Sequence, residues 1–291
     1  MPSPFPTRFA STLDLARLPW FEVEGGNRLV VAPDAADEVG PVIDMHTHLA
    51  MGYLRTLQVD LRAETPTVAY YLPVTLPVDL DLYSNRNLDR SAMFAMKADL
   101  SVLGLTAQGM RTTHTAPNLV RDMAALGIRR SVVLPIDLPI GASNADALLD
   151  VAAEHPELVP FGSVHPLQRD IDARLDRQRA AGAQGIKLHP NAQFIGPDHP
   201  KTVHLCGRCG DRGLPVLFHC GPVGIEPKAA RERSQVVRYE AAIAESPQTT
   251  FVVGHSGALQ HREVDGLGGR RLEGDGIEPE EAEVRLGEGD R

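Results

Sequence analysis

The chain has 291 residues, a formal net charge of −9, and 43% hydrophobic and 23% charged residues. That length and apolar content suit one packed α/β barrel of about 250 residues and exclude a chain disordered throughout. The acidic balance argues against a nucleic-acid surface, no apolar run reaches the roughly 18 residues of a membrane span, and three cysteines make no disulfide framework.

Residues 1–18 show no secretory signal, so a reduced, cytoplasmic chain is expected. Residues 1–40 read as an irregular or small β preamble. A first short apolar run, 41–46, suits a buried parallel strand. An insertion over about 50–128 follows, rich in proline (Pro66, Pro73, Pro77), with a helical pattern over 91–103. It is expected to lie as a lid over the strand ends. Five more apolar runs begin at 131, 159, 185, 215 and 250, a spacing that fits a strand plus a crossover helix. Ser143 or Asn144 is expected to cap one intervening helix and Asp170 another, with a third around Val236–Ile243. Repeated units of this kind predict an α/β fold with a parallel sheet. Residues 261–291 read as an acidic, disordered tail. From Glu263 onward it holds ten acidic and four basic residues, seven glycines and no aromatic residue.

The sharpest local pattern is Asp44-Met45-His46-Thr47-His48 at the end of the first run. In an extended chain residues i and i+2 point the same way, so His46 and His48 aim at one space. Asp44 shares their parity and is expected to orient one ring. Lys187-Leu188-His189, Phe218-His219-Cys220 and Gly254-His255-Ser256 close three further runs. Ligands and catalytic groups gather at the carboxyl ends of parallel strands. Histidine at so many of those ends points to a metal-centred site of His46, His48, His219 and His255. His155, His165 and His204 are expected to be ordinary packed histidines.

Asp-Met-His-Thr-His, Gly-Ile-Lys-Leu-His-Pro, Val-Leu-Phe-His-Cys-Gly and Val-Val-Gly-His-Ser-Gly, in this order over residues 41–260, resemble the amidohydrolase superfamily. They are most similar to its amidohydrolase-related, TIM-barrel, metal-dependent hydrolases. The resemblance implies a (β/α)8 barrel with His46, His48 and His219 as ligands of a divalent metal ion, zinc being the expected one. His255 is implied as a second-metal ligand or the group that orients substrate and water. In some two-metal members a strand-four lysine is carbamylated and bridges the ions, a role the resemblance leaves open for Lys187; Lys187 or His189 is as readily a holder of an anionic substrate group. The implied activity is hydrolysis of an amide, ester or lactone of a small molecule. A metal-dependent decarboxylase is the alternative, or a catalytically inactive remnant. Association with further copies of the chain is compatible with the sequence.

One family element has no counterpart. The usual strand-eight aspartate is not found, and only 36 residues follow His255. Asp275, in Glu273-Gly274-Asp275-Gly276, is a poor stand-in because no apolar run precedes it. The barrel is therefore expected to lack strands seven and eight, with homology stopping near Ala258, as a frameshift or truncated gene would give. Such a sheet leaves edges unpaired unless a partner covers them. Cys206 and Cys209 read as packing residues rather than a zinc or redox pair. Arg111 and His114 lie in the insertion, where they either reach the pocket or are exposed loop residues; the sequence fits both equally well.

Overall fold

The computed structural model describes residues 5–52, 57–71, 74–80, 90–101, 103, 106, 108–139, 143–223, 226–264 and 266–267. Strand β1 (Arg8–Phe9) is followed by a hairpin of β2 (Phe21–Glu24) and β3 (Arg28–Val31). Gly25 and Gly26 both take positive φ in its turn, the conformation glycine adopts without steric cost. Helix α1 (Pro33–Val39) opens on a proline, whose missing N–H costs nothing in a first turn. Strand β4 (Val42–Thr47) starts the main sheet. The insertion then contributes β5 (Val78–Asp79), which pairs antiparallel with β1, and helices α2 (Arg90–Ser101) and α3 (Ala116–Ala125).

Strand and helix alternate from there: β6 (Ile128–Val133), α4 (Asn144–Ala152), β7 (Leu158–Pro160), α5 (Ile171–Ala180) and β8 (Ile186–Leu188). Next come α6 (Pro190–Gln193), α7 (Pro200–Gly210), β9 (Val216–Phe218), α8 (Lys228–Arg233), α9 (Glu240–Glu245), β10 (Phe251–Val253) and α10 (His261–Val264). Ser143 and Asp170 stand at helix N-caps as expected, but neither side chain caps the backbone. Ser143 Oγ donates to Asp146 and Asp170 accepts from Arg174, because charged partners four or fewer residues away compete for them. The third expected helix is split into a 3-10 turn, Val236–Tyr239, and α9.

Two parallel sheets result, in the orders β4-β6-β7 and β8-β9-β10. A parallel bridge between Gly162 and Ile186 joins them, with Gly162 donating to Gly185 and accepting from Lys187, both at 2.8 Å. The six strands thus follow one another in sequence order. Side chains alternate between two faces. On one face Val133 and Leu158 pack with helix residues Met123, Leu148 and Val151, and Ile186, Leu188, Val216 and Phe218 pack with Leu175, Leu205 and Ala242. On the other, Val132, Leu134, Phe161 and Leu217 form an inner cluster with Met45, Val159 and Val252. Strand β8 gives this inner layer Lys187 instead of an apolar residue, since Lys187 lies between the outward-packed Ile186 and Leu188 and pairs in register with Leu217.

Among the described residues β4 pairs only with β6 and β10 only with β9. Their carboxyl ends nevertheless meet, because the right-handed twist curls the sheet. A Cβ on Gly254, just after β10, would stand 3.1 Å from the His46 ring of β4. The acidic tail, including Asp275, lies almost entirely outside the described residues. No described helix is long and apolar enough to cross a membrane.

Candidate functional site

His46 and His48 leave β4 with ring centroids 5.2 Å apart, edge to face. A register irregularity between Asp44 and Thr47 interrupts the strict alternation, so Met45 joins the inner cluster while His46 still reaches Lys187. Asp44 does not orient a ring, contrary to expectation. Its carboxylate accepts the His46 backbone N–H at 2.9 Å and the Thr47 hydroxyl, closing a local turn that takes both oxygens. His48 is oriented instead by its Nδ1–H, which donates to the Leu134 carbonyl at 2.7 Å and leaves Nε2 with its lone pair.

The remaining expected residues converge on the same place. Lys187 is fully buried and its Nζ donates to His46 Nε2 at 3.2 Å. His189 stacks on His219 with centroids 3.9 Å apart and planes within 8°. The ladder that holds them runs on past β9, as His219 N donates to Leu188 O at 2.9 Å. The Tyr239 hydroxyl donates to the His219 carbonyl and fixes that strand end. His255 Nε2 lies 3.0 Å from His219 Nδ1, and its ring centroid is 4.4 Å from that of His46. His46, His48, His189, His219, His255 and Lys187 therefore form one cluster. His165 stays outside it, donating to the Gln193 carbonyl as a packed histidine does.

The electrostatics follow from burial and from like charges. Burial, then Lys187, hold His48 at about 3; the same two causes hold His255 at about 4. Burial pushes His46, His189 and His219 below the ordinary imidazole range as well, reinforced by Lys187 and the neighbouring rings. Lys187 is lowered by burial to about 7. Every ring is therefore neutral at physiological pH, the form that carries a free lone pair for a metal.

The donor set suits a divalent ion of the zinc type in chemistry. His219 Nε2 is buried without a hydrogen-bond partner, the kind of orphan that a ligand satisfies. Preformed coordination is another matter. Among the described residues no three His, Cys, Asp or Glu side chains make a group ready to hold a metal. The reason is visible in the contacts, which pair ring nitrogens with each other or with Lys187 Nζ.

One feature escapes sequence reasoning, and one of the two readings of Arg111 is decided. Gly254 leaves the space His46 occupies, since a Cβ there would meet the Phe218 carbonyl at 2.5 Å and His46 Cε1 at 3.1 Å. Arg111 is not an exposed loop residue: it is 3% exposed and lines a cavity of about 400 Å³ that also includes His48. Nothing in its spacing signals burial, because the insertion that encloses it has no periodic pattern there. Cys206 and Cys209 pack in the outer core, as expected.

An amidohydrolase family model matches residues 43–273. No curated protein matches the chain. Among solved structures, an uncharacterized TIM-barrel protein from Bordetella bronchiseptica is similar, at 17% identity over 80% of this chain and 73% of that one (TM-score 0.49). The apo form of Metarhizium anisopliae IDCase is similar at 17% identity over 88% and 75% (TM-score 0.48). A manganese complex of 5-carboxyvanillate decarboxylase from Novosphingobium aromaticivorans is 15% identical over 83% and 74% (TM-score 0.44).

Proposed function

The chain belongs to the amidohydrolase family, and on that premise we propose that it is a divalent-metal-dependent hydrolase of a small amide, ester or lactone. The observation that carries this is the cluster of neutral imidazoles at the carboxyl ends of separate parallel strands, with His219 Nε2 buried and unpaired. His46, His48 and His219 would hold the ion. A bound divalent ion of this type polarises a carbonyl and lowers the pKa of bound water from 15.7 to about 7. His46 Nε2 would exchange its contact with Lys187 Nζ for the ion, whereas His219 Nε2 has no hydrogen bond to give up and His219 Nδ1 keeps its contact with His255.

His255, neutral and beside His219, accepts a proton from water near the reacting carbon and returns it to the leaving group. Lys187, beside His46, and His189, stacked on His219, hold an anionic group of the substrate. His48 is kept by Leu134 in the tautomer that presents Nε2. Residues 41–260 are read as carrying strands of a (β/α)8 barrel, which rests on the six parallel strands among the described residues.

The test has two parts. Purified protein is expected to carry about one equivalent of zinc or manganese by mass spectrometry, and His48→Ala and His219→Ala to carry much less. Equal metal in all three discards the site. The loaded enzyme is then assayed on a panel of lactones, esters and amides, and for bicarbonate release from aromatic carboxylates. Bicarbonate without hydrolysis assigns the decarboxylase alternative, and no turnover of either kind assigns the inactive remnant.

A further inference from the structure

The cavity shared by β4 and the insertion contains a charge that its surroundings do not balance. Arg111 lies in a 3-10 turn, Met110–Thr113, and is 3% exposed. Its two terminal nitrogens donate only to carbonyls, those of Met51, Leu103 and Thr106. Its Nε is buried with no partner, and no described carboxylate forms an ion pair with it. Asp99, twelve residues before it, is occupied by the Tyr71 hydroxyl and the Met110 N–H. Burying a guanidinium against neutral acceptors alone is costly, and natural sites offset that cost with an anion.

A second orphan faces the same space: Thr115 Oγ1 is buried, unpartnered, and lines the cavity with Arg111 and His48. The walls are apolar, from Leu49, Ala50, Val68 and Leu119. Asp122, which also lines the cavity, accepts from the Tyr70 hydroxyl at 2.8 Å and faces Arg28 at 3.8 Å, which moderates its field. A volume of about 400 Å³ falls in the range of small-molecule sites, about 300–1,000 Å³.

We propose that this cavity is an anion-binding substrate subsite, with Arg111 as its cation and Thr115 as a second donor. It selects substrates with an apolar body and an acidic group remote from the bond that reacts at the histidines. Only the position of the reacting bond rests on the function proposed above; the anion site itself does not. Carboxylates match the planar fork of a guanidinium, and Nε is the position left open.

The test uses the full chain, stripped of metal, with benzoate as probe and benzamide as its uncharged control, read by calorimetry. Wild type is expected to bind benzoate at least tenfold more tightly than benzamide. Arg111→Gln is expected to lose at least tenfold in benzoate affinity while binding benzamide and metal as wild type does. Thr115→Val, which keeps the side-chain shape, is expected to lose about threefold to tenfold, the range of a single hydrogen bond. It also decides the matter if Arg111→Gln fails to fold. Equal binding of benzoate and benzamide overturns the proposal, as does unchanged benzoate affinity in folded Arg111→Gln or Thr115→Val. Failure of the hydrolase assignment looks different: metal or turnover is absent while benzoate binding in the stripped chain persists.

Discussion

Ser256 is exposed and held at φ 47°, ψ 37°, between His255 at φ 58° and Gly257 at φ 78°. A left-handed conformation costs a side-chain-bearing residue about 1–2 kcal/mol, and glycine pays none of it. Ser256→Gly is therefore expected to stabilise the fold by about 1 kcal/mol, seen as a higher urea midpoint at unchanged slope. A lower midpoint would show that this turn is not strained. Asp137 offers a second residue-level test. Burial raises its carboxyl to about 6, although Ala145 N donates to it at 3.0 Å. The folded chain then binds more protons than the unfolded one between about 4 and 6, so this carboxyl lowers stability as pH rises through that window. Asp137→Asn keeps the acceptor and removes the titration. Its stability relative to wild type is expected to climb from pH 4 to pH 7; a flat difference in midpoints would mean that burial does not raise this carboxyl.

At the scale of elements, the site depends on how β10 approaches β4 and β9. Gly254 allows that approach, since its Cβ position is 2.5 Å from the Phe218 carbonyl and 3.1 Å from His46. A methyl group there must displace backbone and ring together. Gly254→Ala is expected to cost about 1–3 kcal/mol of stability and to weaken metal binding about 10–100-fold. Denaturation and metal titration check the two halves. Wild-type metal affinity in this variant would remove His46 from the ligand set. The strands themselves were legible, because buried parallel strands write short continuous apolar runs, and all six runs became strands. The insertion was less so. Its helix at Arg90–Ser101 was visible as periodicity, but β5 is two residues long and carries no pattern of its own.

For the whole molecule, clustering five imidazoles and a lysine sets the pH response. His48 and His255 titrate near 3 and 4 in the fold, against 6.5 unfolded. The unfolded chain therefore takes up protons first as pH falls below 6.5, and these groups withdraw stability down to about 4. Lys187, at about 7 folded against 10.5 unfolded, acts with the same sign at higher pH: stability rises from 7 toward 10.5. Metal-stripped protein is expected to show a falling urea midpoint from pH 6.5 to 4, and His48→Gln to flatten part of that slope. A midpoint independent of pH would mean the rings are solvated. Zinc at about 100 times its Kd should add about 2.7 kcal/mol by mass action, and the His219→Ala chain should gain much less.

Sequence alone determined the α/β class, the six strands and the histidines that end four of them, because strand burial and the two-residue period are local properties. Three things were decided only by tertiary structure. Asp44 turned to its own backbone and left His48 to the Leu134 carbonyl. Lys187 entered the inner layer beside His46, and Arg111 was buried in the insertion's cavity. Each depends on which distant backbone or side-chain group arrives as neighbour. That is fixed by the curl of the sheet and the path of the insertion, neither of which leaves a period in the chain.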